Sequence, residues 1–316
     1  MYWATIELAE GELMTSPMPA LPRHIQFSNI AVLTDLGIDA AQSVRFAASF
    51  ARHSGAKLTV AHACSPDFYV YVPPESLPVW PGNGTSTKER ARQRTNSLIE
   101  KAGLLSTSVD AVISSASVPE LLEDLELRQP DLLVLAPHAR TGINKWLSGS
   151  VTAEVFRRSQ WPVLVLPPVA LNAQPVYSQF HKILFATDLS EVSAKAFAYA
   201  AGMALDSGGQ MVALHVDEGL AYSFERVIAL QRLEDWLHRQ SLNSGISQWP
   251  ECIVRFGPPA EEILRTATEY KTDLIVIGAR GLGAMSGIAS HFVGGTAYTL
   301  ACSSPCPLLL IPSKRI

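Results

Sequence analysis

Short apolar runs alternate along this chain with longer segments whose apolar positions recur at helical spacing. Strands are expected over residues 30–34, 58–63, 109–114, 131–136 and 163–166, and again over 183–187, 211–216, 251–256, 273–277 and 308–311. Helices are expected over 39–53, 88–102, 119–128 and 150–159, then from Ser190 onward and over 223–242, 260–270 and 292–302. Ala194, Phe197, Ala198, Ala201 and Leu205 form one apolar helical face behind the cap residue Ser190. The strand runs do not alternate apolar with polar, so both faces must be covered, which implies parallel sheets between layers of helices. The predicted class is α/β: two tandem doubly wound five-stranded parallel sheets with helices on both faces.

The duplication is written in the residues. Ile30-Ala31-Val32-Leu33-Thr34-Asp35 returns as Ile183-Leu184-Phe185-Ala186-Thr187-Asp188, and Asp131 with Leu132–Leu135 returns as Asp273 with the apolar run that follows it. Trp161-Pro162-Val163-Leu164 returns as Cys306-Pro307-Leu308-Leu309, and the three offsets lie between 142 and 153 residues. Similar blocks in one order at nearly constant offset mean two copies of one domain. The expected division is an arm over 1–24, a first unit over 25–168, a linker over 169–180 and a second unit over 181–316. A length of 316 residues suits two units of about 150, each able to form its own core. Residues 65–84 interrupt the first unit with a stretch rich in proline and aromatic residues.

Charge narrows the partners. A net charge of −4 without a Lys/Arg block gives no electrostatic reason to expect nucleic acid or an anionic membrane surface. No apolar run approaches the ~18 residues of a membrane span. Glu7, Glu10 and Glu12 stand where a signal peptide would carry basic residues. The four cysteines lack zinc-site spacing, and reduced thiols in a cytoplasmic protein are the expectation.

In open α/β sheets a ligand sits beyond the carboxyl ends of the strands, where strand order reverses. Asp35 and Asp188 follow the first strand of each copy, and a loop follows the fourth. In the second copy that loop is Gly278-Ala279-Arg280-Gly281, continuing to Gly294-Gly295-Thr296; in the first it is Ala136-Pro137-His138-Ala139, continuing to Gly149-Ser150. Glycines there let backbone N–H groups approach an anion, and a following helix N-terminus favours negative charge. Each feature also has a structural reading. Both aspartates can cap helices, Asp39 with Gln42 can form a capping box, and Ser207-Gly208-Gly209 can be a turn. His62 and His215 read as packing residues between helix and sheet, and His138 with Arg140 as a solvated loop pair. Glu261 and Glu262 suit a first helical turn. Phosphate-loop, nucleophile-elbow and zinc-protease motifs are absent, so enzymatic activity is not the expectation.

Strand–Thr–Asp, strand–His–Val, a G-x-x-G loop and a closing Gly-Ser/Thr ahead of Pro-Cys-Pro and a strand together resemble the universal stress protein family. The resemblance covers residues 27–168 and 181–313. It implies a stress-response regulator or binding module that takes an adenine nucleotide, ATP, with Mg2+ accompanying the phosphates. On that pattern Asp188 bonds the ribose, Ala186 and Val216 border the adenine, Gly278, Arg280 and Gly281 wrap the phosphates, and Gly294, Gly295 and Thr296 close the site. The nucleotide-binding branch carries G-x2-G-x9-G-(S/T). The first copy keeps the spacing but has Ala136 and Ala139 for its glycines, so nucleotide is expected chiefly in the second copy. There twelve residues separate Gly281 from Gly294, and Gly295 stands where Ser or Thr is expected. The alternatives are a nucleotide-free scaffold or small-molecule binder with decayed sites, and a slow ATPase or self-phosphorylating protein with Thr296 or Ser286 as acceptor. The resemblance also implies an internal pseudo-dimer in which strands 163–166 and 308–311 meet, with a homodimer of the whole chain as a further possibility.

Overall fold

A computed structural model describes residues 25–34, 36, 40–63, 87–104, 109–115, 118–136, 155, 159–173, 177, 179–219, 223–241, 249–279 and 295–312. Among these, the first half contains β1 (Asn29–Leu33), α1 (Ala40–Ser54), β2 (Lys57–Ala63), α2 (Thr87–Lys101), β3 (Ala111–Ser115), α3 (Val118–Glu126), β4 (Leu132–Leu135) and β5 (Val163–Val165). A short helix, α4 (Pro168–Ala173), follows. The second half contains β6 (Lys182–Thr187), α5 (Glu191–Ser207), β7 (Gln210–Asp217), α6 (Ser223–Ser241), β8 (Glu251–Phe256), α7 (Pro259–Tyr270), β9 (Leu274–Ala279), α8 (Gly295–Ser303) and β10 (Leu308–Pro312). The helix expected over 150–159 lies, apart from Val155 and Ser159, outside the described residues, as do the arm, the 65–84 segment and the Asp39 cap.

The strands form one ten-stranded sheet in the order β3-β2-β1-β4-β5-β10-β9-β6-β7-β8. Each half is parallel, and the halves join where β5 meets β10 antiparallel, with Leu309 opposite Leu164. Every residue of β5 and Leu308–Ile311 of β10 are buried. Strands so apolar would template aggregation as free edges, and the mutual pairing removes both edges from solvent.

Carboxylates set the register within each half. Asp131 accepts the backbone N–H groups of Ser28 and Asn29, at 2.6 and 3.1 Å, just before β1 and at its start. Asp273 accepts those of His181 and Lys182, at 2.8 and 3.0 Å, in the same place before β6. Burial pushes the Asp273 carboxyl upward, against the pull of these two N–H donors. Helix α5 starts at the cap Ser190 and ends at Gly208, whose φ of 62° lets its N–H and that of Gly209 reach back to Leu205 and Ala204. The second half builds an aromatic trio in its core. Phe185, Phe197 and Trp236 join β6, α5 and α6 with ring centroids 5.6–6.0 Å apart.

The segment expected to be the linker also takes part in the packing. Its α4 covers the core through the buried Ala170 and Leu171. Tyr177 then stacks on Phe50 at 4.4 Å and meets Phe46 and Phe180 edge-on. Apolar and aromatic side chains in a connection can bury themselves even where no period announces an element. Burial first, then the negative charges of Asp273 and Asp206, pushes the Tyr177 hydroxyl up to about 12. An acid with a raised folded-state pKa contributes stability that is intact below its unfolded value of about 10 and is lost as pH rises through 12. Alkaline denaturation followed from pH 9 to 12 should therefore be less steep in Tyr177→Phe than in the wild type.

Cys252, Cys302 and Cys306 are free thiols. Burial pushes Cys252 and Cys306 up to about 11, so both are protonated near neutrality. Cys306 supplies packing between the prolines that lead into β10, with Thr272 and Ser304 around its sulfur.

Candidate functional site

The crevice at the carboxyl ends of β6, β7 and β9 is built by a turn that both halves share. In the second half, Thr187 ends β6 and its hydroxyl accepts the N–H of Leu189 at 2.9 Å. Leu189 has φ 61°, a left-handed conformation that costs a leucine about 1–2 kcal/mol. His215 Nδ1 lies 2.9 Å from the Thr187 carbonyl oxygen. A carbonyl only accepts, so Nδ1 carries the proton and donates. The first half repeats each part: Thr34 Oγ1 accepts from Leu36, Leu36 has φ 61°, and His62 Nδ1 donates to the Thr34 carbonyl at 2.7 Å. The two histidines are half-buried staples that hold the end of the first strand of each copy, a more specific role than helix–sheet packing.

That turn places Asp188 at the mouth of the crevice. Its Oδ1 accepts the N–H of Ser190 at 3.0 Å and the hydroxyls of Ser190 and Ser193 at 2.5 and 2.7 Å. Ser190 caps α5 by accepting from the Ser193 N–H at 3.4 Å, so the cap of this helix is Ser190, with Asp188 behind it. Gly278 is the fifth residue of β9 rather than the start of a loop, and its φ lies outside the left-handed region. A Cβ there would come within 3.1 Å of the backbone C and O of Val192, in the first turn of α5. The glycine thus serves the close approach of helix to strand, a need that the sequence pattern alone did not separate from access to a ligand. Helix α8 begins at Gly295, three residues later than the spacing predicts, which puts Gly295 and Thr296 together in its first turn.

These elements enclose a cavity of about 310 Å³. Of the sequence-predicted residues it gathers Ala186, Asp188, Val216, Gly278, Gly295 and Thr296. Arg280, Gly281 and Gly294 lie outside the described residues, as do Asp35, His138, Arg140 and Ser286. The structure adds Pro259 and Ile263 of α7, Ser193 of α5 and Leu214 of β7. Ile263 and Leu214 occupy buried positions that look like ordinary core in the sequence. Ser193 could have been found as the hydroxyl five residues beyond Asp188 on the first helical turn. The lining combines apolar side chains such as Leu214, Val216, Pro259 and Ile263 with the Asp188 carboxylate, the Ser193 and Thr296 hydroxyls and the N-terminus of α8. No group of three His, Cys, Asp or Glu side chains able to hold a metal is present among the described residues. No described helix is long and apolar enough to cross a membrane.

Each half is a doubly wound parallel half-sheet, and the second carries a crevice at its β6/β9 switch point, which makes the chain a tandem α/β domain protein. The universal stress protein family model matches residues 26–167 and again 179–312. The chain belongs to that family, as a tandem two-domain member. It is 33% identical over 138 residues to a universal stress protein of Thermus aquaticus, covering 42% of this chain and 98% of the relative. A universal stress protein of Mycobacterium tuberculosis strain H37Rv is 26% identical over 291 residues, covering 84% of this chain and 92% of the relative. In fold it is similar to a universal stress protein of Archaeoglobus fulgidus, with TM-score 0.62 at 18% identity, covering 92% of this chain and 98% of that one.

Proposed function

We propose that this tandem universal stress protein binds an adenine nucleotide, ATP, in the crevice of its second unit, and acts as a ligand-responsive binding module. The observation that carries the reading is the convergence of Asp188, the Gly278 strand end and the first turn of α8 on one cavity whose lining also includes several apolar side chains. Asp188 would bond the ribose hydroxyls, while Ala186, Val216, Pro259 and Ile263 border the adenine. Gly295 and Thr296 would meet the phosphates at the α8 N-terminus, with Arg280, Gly281 and Gly294 from the adjoining segment and Mg2+ accompanying the phosphates. Among the described residues, a Cβ added to Gly295 would meet nothing within 4 Å. In the first unit Ala136 replaces the Gly278 counterpart, and weaker binding is expected there. The antiparallel β5–β10 join supports reading the chain as an internal pseudo-dimer of the two units.

A second reading has its own support. Asp188 is already used by the start of α5, and Gly278 by the contact with Val192, so both would be retained by a scaffold that holds no nucleotide. Denaturing protein purified without added nucleotide and analysing the released small molecules distinguishes the two. An adenine nucleotide in near-stoichiometric amount, or saturable ATP binding by calorimetry, supports the binding module. Absence of both favours the scaffold.

A further inference from the structure

Asp188 is not held by the backbone turn alone. The hydroxyls of Ser190 and Ser193 both donate to the same oxygen, Oδ1, at 2.5 and 2.7 Å, and Ser193 itself lines the cavity while only 3% exposed. The equivalent turn of the first unit is the same in every other described respect: threonine carbonyl, histidine staple and left-handed leucine. At the constant offset that relates Thr34 to Thr187 and Leu36 to Leu189, the partners of Ser190 and Ser193 are Gly37 and Ala40. Neither can donate from a side chain. The hydroxyl pair is therefore peculiar to the second copy. A helix cap explains Ser190, but the capping bond is complete without the Ser193 hydroxyl, because it is the Ser193 backbone N–H that Ser190 accepts.

We infer that Ser193, with Ser190, is a positioning residue: the two hydroxyls clasp the Asp188 carboxylate and aim it at vicinal hydroxyls of a ribose, making the second unit selective for ribonucleotides. The inference rests on the nucleotide reading and specifies which part of the ligand the site discriminates. Two donors on one carboxylate oxygen restrict its rotation, and a preoriented carboxylate accepts from a cis-diol with less ordering cost than a mobile one.

The test uses the full chain and two probes, ATP and 2′,3′-dideoxy-ATP, titrated calorimetrically. The wild type should prefer ATP by about ten- to a hundredfold, as charge-assisted bonds predict. Ser193→Ala should lose about tenfold in ATP affinity and leave the dideoxy affinity unchanged, so that the preference shrinks by the same factor. Ala40 occupies the equivalent buried place at the start of α1, so the helix accommodates the change. The double variant Ser190→Gly, Ser193→Ala reproduces the first unit's pair with a glycine that is well tolerated at a helix cap, and should shrink the preference further. A Ser193→Ala protein that keeps the wild-type ratio of the two affinities, or loses both equally, overturns the positioning role while leaving nucleotide binding standing. A wild type that binds neither probe overturns the nucleotide reading before any substitution is made.

Discussion

Phe197→Ala should lower the stability of the second unit by about 3–5 kcal/mol, the cost of truncating a large, fully buried aromatic side chain. Phe197 has no exposed surface and touches both Phe185 and Trp236, which belong to different elements, so no single neighbour can move in to fill the space. At a few degrees per kcal/mol, the melting temperature should fall by about 10 °C. The trio is confined to the second half, because Val32 and Val44 stand where Phe185 and Phe197 would be in the first. Circular dichroism followed through denaturant titration measures the loss. A shift below about 1 kcal/mol would mean that the space between β6, α5 and α6 collapses readily, contrary to the packing described.

The helix that carries Phe197 was legible in the sequence, and so were all ten strands. Apolar runs that do not alternate, helical faces such as Ala194, Phe197 and Ala201, and the Ser190 cap are local signals that tertiary context reinforces. The duplicated blocks carried the division into two units. The joining of the units into one ten-stranded sheet depends on pairing between residues some 145 apart, such as Leu164 and Leu309, and was expected from the family resemblance rather than from any local pattern. The packing of the linker over 169–180 was illegible for a different reason. Tyr177 gains its place from Phe180 nearby and from Phe46 and Phe50 on α1, which are far away along the chain, so most of its packing leaves no periodic trace.

At the site the sequence supplied residue identities without their local physics. Asp188 and Gly278 stand at the cavity, but the need for glycine at 278 comes from the approach of Val192 rather than from an unusual φ. The backbone strain of this region sits at Leu189 and Leu36, residues that no turn rule would select for a left-handed conformation. Such strain persists where surrounding bonds over-determine the turn, and here the threonine hydroxyl and the histidine staple do so in both copies. Pro259 and Ile263 were missed because a proline at a helix start and an isoleucine on its buried face satisfy the fold completely. Only the tertiary arrangement shows that they also face a cavity.

Asp188→Ala separates the two functional readings most sharply. On the nucleotide reading it removes charge-assisted hydrogen bonds to the ribose, each worth roughly 1.5–3 kcal/mol, so ATP affinity should fall about ten- to a hundredfold. The same substitution withdraws the acceptor from the Ser190 N–H and from the Ser190 and Ser193 hydroxyls, so some stability must go as well, about 1 kcal/mol. Measuring melting temperature and ATP affinity on one preparation keeps the effects apart. Lost stability with unchanged ATP binding would reduce Asp188 to a support for the start of α5 and put the scaffold reading ahead. Asp188→Asn refines the outcome, because an amide oxygen can still accept from the serines while the negative charge is gone. Its melting temperature should stay close to that of the wild type, and its ATP affinity should fall between those of the wild type and Asp188→Ala. An asparagine variant as stable as the wild type yet as weak in ATP binding as Asp188→Ala would assign the whole contribution of this residue to its charge.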